Sequence, residues 1–311
     1  MRVVAALGGN ALSPTGGTGS VEEMRDALAS TGKALAALVA SGVELVLTHG
    51  NGPQVGRILL QQELAASKVP PMPMDVCGAE SQGQLGYLIA QSLDNALRAL
   101  RVETTVLCLV TQVVVDGRDP AFRRPSKPVG PSYERPTAQQ IAQESGHVFA
   151  IQPSGMWRRV VASPLPVRLV EGGPLRALVD AGHVVVAAGG GGVPVVEHRG
   201  RLRGVEAVID KDRTAALLAH SVGADRLLIL TEVPKVQVGF GTSAARSLDE
   251  LTVSEARRLL AAGEFPDGSM GPKVEACADF VADGGTGAVI AALSDAAAAA
   301  RGEAGTSVVP G

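Results

Sequence analysis

Aromatic side chains are scarce, with one Trp, two Tyr and five Phe in 311 residues. That scarcity argues against the stacking platforms with which proteins hold single-stranded nucleic acid. An excess of one charge is missing too. Twenty-eight Lys and Arg against 31 Asp and Glu leave a net charge of −3, so no general field draws the chain to nucleic acid or to an anionic membrane. Charged residues make up only 19% of the total, which argues against long solvated tails. Cysteine is rare: Cys77, Cys108 and Cys277 are scattered and odd in number, unlike a disulfide framework or a metal cluster. No apolar run approaches the ~20 residues of a membrane span. Met1–Leu7 is apolar but too short for a signal peptide and runs straight into Gly8-Gly9-Asn10, so it reads as a first core strand. A cytoplasmic enzyme without a side-chain metal cage is the expectation, and any phosphate binding falls to local cations and backbone amides.

The length suffices for one large α/β domain or two lobes. Short apolar runs at Val3–Leu7, Glu44–Thr48, Thr105–Val110, Val184–Ala188 and Arg226–Thr231 predict strands covered on both faces. Within the third of these, Cys108 is expected to be a small buried residue. Amphipathic patterns over Val21–Ala40, Gln54–Ala66, Ala79–Leu100, Gly172–Ala181, Lys211–Val222 and Val253–Ala262 predict helices between them. The alternation argues for an α/β fold with an open, mostly parallel sheet. One stretch breaks the rhythm: about 117–161 is rich in proline, with Arg118, Arg123, Arg124, Lys127, Arg158 and Arg159. It is too long for an ordinary loop and reads as a small protruding subdomain able to act as a lid. A helix over the Ala296–Ala300 run and a frayed tail from Gly302 to Gly311 are expected to end the chain.

In open α/β sheets, ligands bind beyond the carboxyl ends of the strands. Glycine-rich turns fall there: Gly8-Gly9-Asn10, His49-Gly50-Asn51-Gly52, and Gly189 to Gly192. Without Cβ atoms the backbone can approach an anion closely, and a following helix N-terminus adds a favourable dipole. A single such turn is as well read as an ordinary tight turn; three on one sheet edge favour a ligand. Asn10 and Asn51 can each donate an amide hydrogen bond to it. His49 has two readings, an acid–base group or a histidine bonded to neighbouring backbone, and the second is favoured.

Two lysines complete a phosphate site. Lys211 stands between Asp210 and Asp212 after the apolar Val208-Ile209, and Lys273 follows Gly271-Pro272 at a helix start. A lysine at a helix N-terminus opposes the dipole unless a phosphate is bound there. Asp210 is expected to hold and orient the lysines, with Asp212 read as a cap. Lys127, stiffened by Pro125 and Pro128, is either an exposed loop cation or a lid lysine for an anionic substrate. Thr31-Gly32-Lys33-Ala34 lacks the rest of a P-loop, and Gly284 to Ala288 is not a full dinucleotide fingerprint.

The blocks Ala6 to Leu12, Thr48 to Gly56, Asp75 to Ala79, Ser81-Gln82-Gly83, Thr111 to Asp116, Lys127 to Pro131, Gly204 to Asp212 and Gly268 to Ala276 resemble carbamate kinase, of the amino acid kinase superfamily. They run in the right order over nearly the whole chain. The resemblance implies one amino acid kinase domain over 1–311, an open αβα sandwich with the protruding subdomain, and a homodimer. It implies the reaction ATP + carbamate ⇌ ADP + carbamoyl phosphate with Mg²⁺, run toward ATP after arginine or a similar nitrogen compound is cleaved. Carried over by motif, Gly8, Gly9, Asn10 and Gly50 hold the transferred group and Asn51 the carbamate. Lys127, Lys211 and Lys273 contact phosphates and Asp210 organises them. The nucleotide belongs to about 220–311, with Gly190, Gly191, Thr231, Val236 and Gly271 as candidate contacts. Glu80, Glu232 and Gln237 depart from the family's usual Met, Asp and aromatic residue. The last two bear on nucleotide binding, and Glu80 is a candidate for a dimer surface. Two rival readings stand beside this one: an acyl-phosphate-forming kinase acting on an amino acid carboxylate, and a non-catalytic sensor of nucleotide or carbamoyl phosphate.

Overall fold

A computed structural model describes residues 1–12, 16–265 and 269–311, without the side chain of Asn10. The expected contact of the Asn10 amide and the Gly268 start of the Lys273 motif therefore lie outside the described residues. The chain opens with β1 (Arg2–Leu7), α1 (Val21–Ala40), β2 (Glu44–His49), α2 (Gly52–Ala65) and α3 (Met74–Ala99). β3 (Val106–Leu109), β4 (Gln112–Val115), β5 (Lys127–Tyr133), α4 (Arg135–Ser145), β6 (Phe149–Ile151), β7 (Trp157–Val161) and β8 (Pro166–Leu169) follow. Then come α5 (Gly172–Asp180), β9 (Val184–Ala187), β10 (Val193–His198), β11 (Arg201–Gly204), α6 (Lys211–Val222) and β12 (Arg226–Thr231). The chain ends with β13 (Gln237–Val238), β14 (Arg246–Ser247), β15 (Glu250–Thr252), α7 (Val253–Ala261), α8 (Met270–Ala282), β16 (Gly287–Ala292), α9 (Ala296–Arg301) and β17 (Thr306–Val309).

The large sheet has the order β15-β17-β16-β12-β1-β2-β9-β3, and its pairs are parallel except β16 with β17. Successive strand residues face opposite sides, so each central strand feeds two cores. Val3, Ala5 and Leu7 join Leu28, Leu35, Leu85 and Ala299 in the layer of α1, α3 and α9. Val4 and Ala6 join Leu175, Leu218 and Val274 in the layer of α5, α6 and α8. The mostly parallel sheet is the one expected from the alternation, and its two helical layers make the αβα sandwich that the resemblance implies. Smaller sheets hang from its edge: β11-β10-β4-β8, and the three-stranded β5-β7-β6, which with α4 falls within 117–161. That arm rests on a separate apolar cluster in which Val129 and Val161 pack with Val55, Ile58, Leu59 and Cys77.

Three differences from the sequence expectation have physical reasons. β16 is not anticipated, because Gly284 to Gly287 looks like a loop; it is the turn that brings α8 back under the sheet, with Gly285 against the Phe280 ring. The segment after Gly302 is not frayed: β17 lies inside the sheet between β15 and β16, and Thr306 and Val308 are fully buried. Cys108 is exposed, since β3 is the last strand of the large sheet and is covered less well than a central strand. Among the described residues no helix is long and apolar enough to cross a membrane.

Candidate active site

Parallel pairing puts the carboxyl ends of β1, β2, β9 and β12 on one edge of the sheet. The three glycine turns meet there. The amide of Gly8 donates to Leu230 O at 3.0 Å and that of Gly50 to Leu7 O at 3.1 Å, which extends the ladder beyond the strands. These two glycines thus contribute close approach rather than donors aimed at a ligand. A side chain at Gly50 would come within 3.4 Å of the Lys211 stem and 3.8 Å of Gly9 N, so all three lie together.

The third turn is strained. Ala188 has φ +53°, a left-handed conformation unfavourable to a residue with Cβ, and Gly190, Gly191 and Gly192 all have positive φ. A buried polar network holds it. Thr48 Oγ1 donates to Ala188 O at 2.9 Å, and Ala188 N donates to Thr111 Oγ1 at 3.0 Å. Gln82 pairs with both backbone groups of Thr111. Gly190 is needed twice over, by its φ of +68° and because a Cβ there would lie 2.1 Å from Asn51 Nδ2. Asn51 Nδ2 donates to Ser81 Oγ at 2.7 Å, which in turn donates to Gly78 O at 2.7 Å. That relay fixes the Asn51 amide at the start of α2, leaving its oxygen free of this contact.

The lysines converge from three elements. Lys211 begins α6, Lys273 lies in the first turn of α8, and Lys127 begins β5 on the arm. Asp212 accepts from Lys211 Nζ at 2.7 Å on one carboxylate oxygen and from Lys273 Nζ at 2.8 Å on the other. Asp210 accepts from Lys127 Nζ at 2.7 Å and caps α6 by accepting from Asp212 N at 2.9 Å. The expected roles are therefore divided differently. Asp212, read as a cap, joins two lysines, while Asp210 is the cap and holds only Lys127. Burial pushes the Lys211 ammonium pKa down, as does the like charge of Lys273, and Asp212 offsets part of this. Burial pushes the Asp212 carboxyl up, but the two ammoniums outweigh it and hold it below the ordinary carboxylate range. Five charges on the same edge leave one net positive charge over glycine turns, an arrangement suited to a phosphoryl group.

His49 is fully buried, with Nδ1 2.9 Å from Gly50 O, which matches the favoured backbone-bonded reading. Burial lowers its pKa to about 4, so the ring is neutral near pH 7.

Beyond Lys273 opens a cavity of about 270 Å³, with Thr231, Glu232, Gln237, Phe240, Phe265 and Met270 in its walls. Thr231 lies where the nucleotide contacts were expected. The other candidates do not line it: Val236 is fully buried with its amide bonded to Thr306 Oγ1, Gly271 is buried inside α8, and Gly190 and Gly191 sit beside Asn51 and Ile209. Sequence reasoning places Phe240 within the 220–311 part expected to bind nucleotide without singling it out, and does not name Phe265; Ser81 and Thr111 stand in the resembling blocks without a role. A larger groove of about 640 Å³ between α1 and α3 is mainly apolar and holds none of the converging lysines and aspartates.

Comparison with known proteins places the chain in a family. Residues 1–292 match the amino acid kinase family. A carbamate kinase from Pyrococcus horikoshii is 48% identical over 311 residues, 99% of each chain, and one from Trichomonas vaginalis is 44% identical over all of both. The structure of a carbamate kinase from Giardia lamblia bound to AMP-PNP superposes with a TM-score of 0.93 at 38% identity, covering 100% of this chain and 98% of that one. With those matches spanning both halves of the site, the chain belongs to the amino acid kinase family, in the group of the carbamate kinases.

Proposed function

We propose that this protein is a carbamate kinase, catalysing ATP + carbamate ⇌ ADP + carbamoyl phosphate. The observation that carries this reading is the convergence of Lys127, Lys211 and Lys273 on Asp210 and Asp212, beside Gly9, Gly50 and Asn51. Carbamate is already an anion, so its oxygen attacks phosphorus without a general base, and buried neutral His49 is not required as one. What remains is positioning and charge stabilisation along the in-line path. The Asn51 amide orients the carbamate. Lys211 and Lys273 neutralise the oxygens of the group in transfer, and Lys127 closes from the arm, which acts as a lid. The nucleotide base and ribose occupy the cavity walled by Thr231, Phe240 and Phe265, so 220–311 is the nucleotide-binding part of a single domain.

Mg²⁺ bound with the nucleotide would neutralise its phosphate oxygens, alongside the ammoniums of Lys211 and Lys273. The enzyme works in the cytoplasm, toward ATP, in the breakdown of arginine or a similar nitrogen compound. It acts as a homodimer: β3 ends the large sheet as an open edge, and the exposed Val110 follows it directly in the chain.

The test is ATP formation from carbamoyl phosphate and Mg-ADP, read by luciferase, with Lys273→Ala as control. Formation abolished by the substitution supports the reading. ADP binding without ATP formation overturns it in favour of another carboxylate substrate or a sensor. Light scattering across a size-exclusion column reports the dimer.

A further inference from the structure

The arm that carries Lys127 is joined to the catalytic segment by a second ion pair. β5 and β7 run antiparallel with Lys127 opposite Val161 and Val129 opposite Arg159. Arg159 is 9% exposed, and its guanidinium Nη2 donates to Glu206 Oε1. Glu206 lies four positions before Asp210, the acceptor for Lys127 Nζ at 2.7 Å. Between these two pairs the backbones are zipped, since Ala207 bridges Ala162 and Val208 N donates to Ala162 O at 2.9 Å. Two cations from neighbouring strands of the arm thus engage two carboxylates of one short segment, on either side of a backbone bridge.

The apolar support beneath this joint is a small local cluster: among the described residues Val129 and Val161 pack with Val55, Ile58, Leu59, Met74 and Cys77, and Val208 of the segment packs against them. A buried guanidinium needs a partner, so the register of arm and segment depends on the pair. Catalysis by positioning is sensitive to such a register, because a displacement of about 1 Å at a reacting group can lower rate on the order of 10²-fold.

We infer that Arg159 and Glu206 are positioning residues for Lys127: their ion pair sets the seat of the arm so that the Lys127 ammonium faces the transferred phosphoryl group. This rests on the kinase reading above. The test compares kcat and KM for carbamoyl phosphate and for Mg-ADP in Glu206→Gln and Arg159→Met, each alone and combined with Lys127→Met. Glu206→Gln alone lowers kcat/KM for carbamoyl phosphate by about tenfold and leaves KM for ADP within about twofold. In the Lys127→Met background the same substitution changes kcat/KM by less than about twofold, because the group it positions is gone. Equal losses in both backgrounds mean that the pair only supports the fold, and no loss in the otherwise unaltered protein means that it does neither; each overturns the inference. Should Arg159→Met fail to fold, Glu206→Gln, altered at a half-exposed carboxylate, decides alone. An unaltered protein that makes no ATP sinks the kinase reading itself and the inference with it.

Discussion

Lys273 and Asp212 meet at 2.8 Å between Nζ and Oδ2, although each comes from the first turn of a different helix. Both positions are helix N-termini, where a carboxylate is favoured and an ammonium is not. Asp212 is thus the natural resident, and it makes the neighbouring lysines tolerable. Replacing Asp212 with Ala leaves two largely buried ammoniums facing each other. The expected result is a loss of about 3 kcal/mol of stability in urea unfolding, with activity falling at least as far as in either lysine variant. A stable Asp212→Ala protein with more than a third of the original turnover would contradict the role of the carboxylate.

Lys211→Ala and Lys273→Ala each remove one donor from the phosphoryl site. Turnover should drop about 10²–10³-fold in each with near-native circular dichroism. A decrease of less than fivefold in either variant would remove that lysine from the mechanism.

Lys127 differs because it arrives on the arm. Lys127→Ala should raise KM for carbamoyl phosphate by about tenfold or more while KM for ADP stays nearly constant. Equal changes in both constants would argue against an arm that clamps the substrate.

Stability should depend on pH through His49. Its folded pKa is about 4 against an ordinary 6.5, so the unfolded chain takes up a proton first as pH falls. The stabilisation is present above about 6.5 and is lost progressively on the way down to about 4, amounting to about 3 kcal/mol. Urea midpoints measured at pH 7, 5.5 and 4.5 should fall in the unaltered protein and fall less steeply in His49→Asn. Parallel slopes would show that the ring is not the group responsible.

The C-terminal strand offers a simple deletion. A chain ending at Gly302 loses the buried Thr306 and Val308, and with them the bond from Val236 N to Thr306 Oγ1. A decrease in Tm of about 5 °C or more is expected by calorimetry. An unchanged Tm would mean that β17 adds nothing to the sheet.

The central strands were legible because Val3–Leu7, Val184–Ala187 and Arg226–Thr231 are apolar on both faces, a pattern that burial between two helical layers imposes. β17 was not, because alternation over a few residues between Gly305 and Pro310 looks like a loop until β16 is there to pair with it. In the site, Lys273 and Lys127 stood out by their glycine and proline neighbours, and Lys211 by the aspartates on either side of it. The division of labour between Asp210 and Asp212 did not, since both are good caps and only the tertiary approach of α8 decides which carboxylate faces two ammoniums. The Thr111–Gln82 network was equally hidden, because hydrogen bonds that hold a strained turn carry no local pattern.

The position of β1 has a consequence for how the chain is made. It pairs on one side with β2, available early, and on the other with β12 at residues 226–231. During synthesis at roughly 5–20 residues per second, about ten to forty seconds separate the emergence of its two neighbours. Through that interval β1, whose residues Val3 to Leu7 are fully buried in the finished protein, carries two apolar faces and one edge of unpaired backbone N–H and C=O groups on the nascent chain. The last third of the polypeptide, which brings β12, is the closure that pairs this edge.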